Sequence, residues 1–153
     1  MATKLDVRVV ALVFDGRKLL VALHRTRGKH DWFLHPPGGG IEGKETFEEC
    51  AAREAFEETN QRIEIIRLAY VYDYMTEDGR CLNMFFLGRL KERRGVNTLN
   101  NPDENSHDLK DAQWIEVEEL VKRDFRPKKL IEKIIEDKLW ENKKLADVYF
   151  WAS

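Results

Sequence analysis

Cysteine is scarce in this 153-residue sequence: Cys50 and Cys81 are the only two, too few for a disulfide framework. Long apolar runs are missing too. None approaches the roughly 20 residues that a bilayer-spanning helix needs, which argues against a membrane partner. The opening MATKLDVRVV has neither the apolar core nor the cleavage pattern of a secretory leader. These absences together point to the cytoplasm. The chain also lacks charge of one sign, with 26 Lys+Arg against 28 Asp+Glu and a net charge of −2. It therefore has no overall basic field to hold polymeric nucleic acid by counterion release. No repeat or linker interrupts the sequence, and 42% of it is hydrophobic. One domain spanning residues 1–153, built on one core, is the expectation.

Regular structure is legible from hydrophobic period and turn chemistry. Val7 to Phe14 and Lys18 to Arg25 are apolar runs separated by Asp15-Gly16, a hairpin signature. The stretch HPPGGG, His35 to Gly40, disfavours helix and regular strand and reads as a loop. From Thr46 to about Thr59 the period is helical. Thr46 and Glu49 stand at capping-box spacing, and Asn60 suits a left-handed C-terminal cap. Ile63 to Met75 and Cys81 to Leu90 form a second hairpin pattern, followed by a polar loop from Gly95 to Ala112. A short strand, Gln113 to Val117, and a helical turn, Glu118 to Arg123, come next. Pro127 opens a helix running to about Trp140, with Leu130, Ile131, Ile134, Ile135 and Leu139 on its buried face. The order predicts an α/β sandwich with helices covering a mixed sheet. The apolar tail, Val148 to Trp151, suits docking on its own fold or a homodimer interface, and the sequence leaves both open.

Charge is concentrated in one place. Between Glu42 and Glu58 seven glutamates face only Lys44 and Arg53, which leaves that segment five charges negative although the whole chain is only −2. Glu54, Glu57 and Glu58 share one helix face at i, i+3 and i+4, so their carboxylates repel unless a cation stands among them. Oxygen ligands with no interleaved cysteine or histidine favour Mg²⁺ or Mn²⁺ over zinc. The competing reading is a solvated acidic surface. Gly38, Gly39 and Gly40 precede the helix, where glycine lets backbone N–H groups approach a phosphate closely.

In this order the residues resemble the signature of the Nudix hydrolases, G-x5-E-x7-R-E-U-x-E-E-x-G-U with U apolar. Gly39, Glu45, Arg53, Glu54, Ala55, Glu57 and Glu58 fall in register. Asn60 replaces the last glycine and Gln61 the last apolar residue. The likeness extends to the approach from Trp32 to Glu42 and to the later strand bearing Trp114. It implies a Nudix-type α/β/α sandwich whose loop-helix-loop motif is catalytic. It also implies that Glu54, Glu57 and Glu58 hold the metal, and that Glu45 and Gly39 shape the turn. Relatives often draw a further carboxylate from the loop before the tryptophan strand, which here points to Asp108 as a catalytic acid.

Other residues keep two readings each. Arg53 suits an ion pair with Glu49 or Glu45, or a phosphate contact. Arg25 and Arg27 suit phosphate binding or a charged strand end. His35 and His107 suit proton donation or plain surface, with surface preferred, and Trp32, Tyr72 and Tyr74 suit base stacking or core packing. Cys50, with no basic neighbour expected, reads as inert. The activity implied is Mg²⁺-dependent hydrolysis of the diphosphate bond in a small-molecule nucleotide, first a nucleoside triphosphate giving monophosphate and pyrophosphate. ADP-ribose or a dinucleoside polyphosphate is the alternative within the class, and a non-catalytic nucleotide sensor the alternative outside it.

Overall fold

The computed structural model describes residues 3–25, 30–96, 109–143 and 148–151. Its strands are β1 (Leu5–Asp15), β2 (Lys18–Arg25), β3 (Trp32–His35), β4 (Gly38–Gly39), β5 (Arg62–Thr76), β6 (Gly79–Glu92), β7 (Leu109–Glu116) and β8 (Tyr149–Trp151). The helices are α1 (Phe47–Thr59), α2 (Val117–Val121) and α3 (Lys128–Asp137), followed by a short 3₁₀ turn at Leu139–Glu141. The strands lie in the order β3-β2-β1-β6-β5-β8, with β4 attached to β1 and β7 to β2. The β1–β6 and β5–β8 pairs are parallel, so the sheet is mixed as expected.

β1 is apolar on both faces because both are covered. Val9, Ala11 and Val13 pack with Cys50, Ala51 and Ala55 of α1, while Val10 and Leu12 pack with Phe85, Leu87 and Leu130, Ile131 and Ile134 of α3. The β1–β2 hairpin closes at Phe14 opposite Leu19 and Asp15 opposite Lys18, and then the two strands part. Beyond the parting β1 pairs with β4, whereas β2 pairs with β3 and β7. The acidic helix contacts strands on both sides of this divergence.

The helix boundaries follow from capping. Thr46 and Glu49 form the complete capping box, and Asn60 takes the left-handed conformation at φ 66°. The Asn60 side chain also donates to the Gly95 carbonyl at 3.0 Å. Gln61, standing where the resemblance calls for an apolar residue, is fully buried. Its amide donates to the Arg94 carbonyl at 2.9 Å and accepts from the Arg94 N–H at 3.2 Å, clamping the chain just beyond β6 to the end of the helix.

Several sequence expectations need correction. The segment around HPPGGG is not a plain loop: Trp32–His35 pairs with β2, and Gly38–Gly39 makes a two-residue strand on β1. Glycine tolerates that close backbone approach, and isolated propensity hid the pairing. The short strand before α2 begins earlier, at Leu109, and the last helix stops at Asp137, where Lys138 turns left-handed. Of the polar stretch 95–112, residues 97–108 lie outside the described residues. The tail docks on its own fold: β8 runs parallel to β5, Phe150 packs 4.6 Å from the Tyr72 ring, and the Tyr149 hydroxyl donates to Asp73 at 2.6 Å.

Replacing Gln61 by leucine, close in volume but without the amide, should leave the Arg94 backbone groups unpartnered. A loss of about 1–3 kcal/mol in chemical denaturation is expected; stability equal to wild type would show that the clamp contributes nothing.

Candidate active site

The site is built where α1 meets the glycine strand. Cys50, Ala51 and Ala55 turn inward and let the helix lie close to the sheet, which brings Glu54 and Glu58 against β4. Glu58 is only 9% exposed, and the Gly38 N–H donates to its carboxylate at 3.2 and 3.4 Å. Glu54 lies so near Gly39 that a Cβ there would sit 2.5 Å from its Oε1. Glu57 is more open, its side chain 43% exposed. Burial, then the neighbouring Glu54 charge, pushes the Glu58 pKa well above the ordinary carboxylate value; the Gly38 N–H and Arg8 oppose this with smaller effect. Burial likewise raises Glu54, with Arg53 as the main opposing influence.

Arg53 is the internal counter-charge. Its guanidinium reaches both oxygens of Glu45, at 2.7 and 3.0 Å, and also Glu54 at 2.9 Å, Glu57 at 3.2 Å and the Gly40 carbonyl at 3.1 Å. Glu49, the other partner the spacing allowed, is used in the helix cap instead. The Arg53 hydrogen bonds, with the Glu42 backbone contact, hold Glu45 down at about 2. Cys50 does have a basic neighbour, contrary to expectation, with the Arg53 Nη2 3.7 Å from its sulfur. Burial and Glu45 outweigh it and push the thiol up to about 12, so the sulfur stays protonated.

The expected phosphate contacts are placed unevenly. Gly38 and Gly39 are buried against the two glutamates, with the Gly38 amide already taken by Glu58, while Gly40 is exposed. Arg25 sits with its guanidinium 4.9 Å from the Trp32 ring centre and lines a nearby cavity. Arg27, Asp108 and His107 lie outside the described residues.

That cavity, of about 500 Å³, is lined among others by Arg8, His24, Phe33, His35, Tyr72, Asn83 and Arg126. Its size suits a small-molecule ligand. Tyr72 serves both the cavity and the core, where it stacks on Tyr74 at 5.2 Å. His35 is not the surface residue expected: burial lowers its pKa to about 4, and its Nδ1 donates to the Pro36 carbonyl at 2.6 Å. Burial lowers His24 well below its ordinary value too. Sequence reasoning passed over Arg8, His24, Asn83 and Arg126. A polar residue interrupting an apolar strand, as Arg8 does before Val9 and Asn83 between Leu82 and Met84, was the available signal.

For a metal, the carboxylate set offers oxygen alone, and a cation would relieve the repulsion between half-buried Glu54 and buried Glu58. Among the described residues no three His, Cys, Asp or Glu side chains converge tightly enough to enclose an ion.

Comparison with known proteins agrees with the arrangement. A family profile described as the NUDIX domain matches residues 4–134. The chain is 31% identical over 123 residues to an RNA pyrophosphohydrolase of Bartonella henselae, covering 71% of this chain and 70% of that protein. In fold it is similar to a NUDIX hydrolase from Nitrosomonas europaea, with TM-score 0.70, 22% identity and coverage of 97% and 98% of the two chains. It is also similar to an ADP-ribose pyrophosphatase from Streptococcus suis, with TM-score 0.66, 15% identity and coverage of 95% and 98%.

Two outcomes follow from the packing. Alanine at Gly38 meets backbone, 2.5 Å from the Val9 carbonyl oxygen, and should cost about 1–3 kcal/mol of stability. Alanine at Gly39 meets only the movable end of Glu54, so the thermal midpoint should hold while the carboxylate is displaced and turnover falls; equal thermal shifts in the two variants would contradict this. The raised Glu58 pKa has a definite sign. The folded state binds that proton more readily than the unfolded state, so ionisation costs stability in full above the folded pKa and the cost fades as pH falls toward 4.5. Without metal, the gain in melting temperature of Glu58→Gln over wild type should therefore be largest near pH 8 and shrink in acid. A gain independent of pH would show that the carboxyl is not the source.

Proposed function

Because the chain belongs to the Nudix hydrolase family, we propose that it hydrolyses the diphosphate bond of a small-molecule nucleotide with Mg²⁺ or Mn²⁺, a nucleoside triphosphate giving monophosphate and pyrophosphate being the first choice. The observation that carries this reading is the pair of half-buried Glu54 and buried Glu58, one helical turn apart, each with its pKa raised by burial first. Such a pair is costly to a fold unless a cation shares it. Glu54, Glu57 and Glu58 would hold the metal, which when bound neutralises phosphate charge and acidifies the attacking water. Glu57, the most open of the three, is placed to meet the water side of the site. Arg53 orients Glu54 and Glu57 through hydrogen bonds of 2.9 and 3.2 Å. Arg25 and Gly40, with Arg27, are the proposed phosphate contacts, and Asp108 the proposed loop acid. Gly38 and Gly39 contribute by holding the carboxylates in place.

The triphosphate is preferred because a cavity of about 500 Å³ suits a mononucleotide better than two joined nucleosides. The name of the 31% identical relative supplies a second reading, removal of pyrophosphate from the 5′ end of RNA. Both substrates present the same anhydride beside a nucleoside, and the nearly neutral chain favours the free nucleotide. ADP-ribose and dinucleoside polyphosphates remain within the same chemistry. The reading takes residues 1–153 as one cytoplasmic domain. Among the described residues no helix is long and apolar enough to cross a membrane.

A panel of nucleoside triphosphates, ADP-ribose, a dinucleoside tetraphosphate and 5′-triphosphate RNA, incubated with Mg²⁺ and read by mass, should release pyrophosphate and monophosphate from the triphosphates. Excess chelator should abolish the reaction. Glu57→Gln and Glu58→Gln should each lower turnover by roughly two or more orders of magnitude while keeping the fold. Hydrolysis confined to phosphate monoesters, or near-normal rates in both variants, would refute the assignment.

A further inference from the structure

Tyr72 belongs both to the wall of the cavity and to the main core. It stands in a row that crosses four strands, with Arg8 on β1, Asn83 on β6, Tyr72 on β5 and Phe150 on β8 each opposite the next. The first three line the cavity. Phe150 lies one strand further out, on the last strand of the sheet, yet is buried. Its ring centre is 4.6 Å from that of Tyr72, and Tyr74 stacks on Tyr72 at 5.2 Å. Tyr72 is thus held between two rings, and one of them comes from β8. Without Phe150 the outer side of Tyr72 would face an open sheet edge, and a ring that has lost its packing partner on one side is free to turn that way.

Phe150 is in turn held from both faces of the sheet. On the core side the Tyr70 ring meets it edge-on at 5.8 Å, and the Lys133 ammonium stands 5.5 Å from its centre. Successive side chains of a strand point to opposite faces, so Tyr149 reaches across the other side. There its hydroxyl donates to Asp73 at 2.6 Å, and Asp73 is itself buried and takes bonds of 2.7 and 2.8 Å from Arg80. β8 has only three residues, so side-chain contacts rather than backbone pairing carry much of its attachment. Those to Tyr70, Tyr72 and Asp73 fall on the stretch of β5 that carries the wall ring.

Resting on the hydrolase reading above, we propose that Phe150 is a positioning residue for substrate binding: it fixes Tyr72 in the cavity wall from the side remote from the cavity, and Tyr149 keeps it there through Asp73. β8 thereby sets the affinity for substrate although Phe150 itself lies outside the wall. The carboxylates of α1 are untouched by this contact, so the bond-breaking step is unaffected.

The test is a comparison of Phe150→Ala, Phe150→Leu, Tyr149→Phe, Tyr72→Ala and the double variant Tyr72→Ala/Phe150→Ala, at a temperature where circular dichroism shows each one folded. The substrate is whichever nucleotide of the panel above wild type cleaves fastest. Phe150→Ala should raise KM about fivefold or more and leave kcat within about twofold, the pattern of weakened binding rather than weakened chemistry. Phe150→Leu should restore most of the loss, and Tyr149→Phe should move KM the same way by less. Tyr72→Ala should raise KM as well, and adding Phe150→Ala to it should change nothing further, because the one residue acts through the other. Independently of turnover, NMR of protein carrying ¹³C-labelled tyrosine should show the Tyr72–Tyr74 ring contacts weakened in Phe150→Ala. A lowered thermal midpoint with unchanged KM and unmoved Tyr72 contacts would make Phe150 an ordinary core residue and overturn the proposal, as would additive effects in the double variant. Cleavage of the panel alongside either result leaves the hydrolase reading standing. Displacement of Tyr72 in a protein that cleaves no anhydride would remove that reading and keep the hold of Phe150 on Tyr72.

Discussion

The contact between the Gly38 amide and the Glu58 carboxylate joins the three parts on which everything else rests. Gly38 belongs to a two-residue strand that exists only because β1 has left β2 and has a free edge to offer. Glu58 closes the last turn of α1, which the capping box and the left-handed Asn60 define at its two ends. One N–H therefore registers helix against loop and loop against sheet. The same bond favours the ionised form of an acid that burial would otherwise keep protonated. A bulkier residue at the glycine would break the registration at the backbone, since the Val9 carbonyl leaves no room for a Cβ.

Electrostatics around the helix is handled in two layers. The outer layer is Arg53, which gathers Glu45, Glu54 and Glu57 within hydrogen-bond reach and so offsets the repulsion along the run of glutamates. The inner layer is Glu58, which among the described residues is relieved by the Gly38 backbone amide and by Arg8 rather than by Arg53. The gradient from compensated to uncompensated charge marks the side on which a cation gains most. Cys50 lies within this gradient, yet burial holds its thiol protonated, so sulfur does not compete for the ion.

Much of this was readable from the chain, and the failures share a cause. The helix, its caps and its acidic face follow from local rules, because a period, a Thr-x-x-Glu and an Asn are all contained within fifteen or so residues. The strands of β5 and β6 were similarly local, being consecutive and β-branched. What escaped depends on pairing between distant segments: the glycine strand on β1, the parallel tail on β5, and the row that sets Arg8 beside Asn83. Gln61 is instructive, because it stands where the family signature has an apolar residue. Its buried amide instead satisfies Arg94, a partner 33 residues away that no local pattern reveals. The cavity histidines escaped for the same reason, since their neutrality comes from burial contributed by other strands.

The divergence of β1 from β2 separates two inheritances within one small domain. The carboxylates and their arginine are confined to a single helix and the loop before it, whereas the cavity wall is assembled from single side chains on β1, β2, β3, β5 and β6 and from the segment before α3. Substitutions along that wall alter one side chain at a time on strands whose backbone pairing is already satisfied. A lineage carrying this architecture can thus remake the cavity by piecemeal exchange at the rim, while the acidic helix and its arginine pass unaltered from ancestor to descendant.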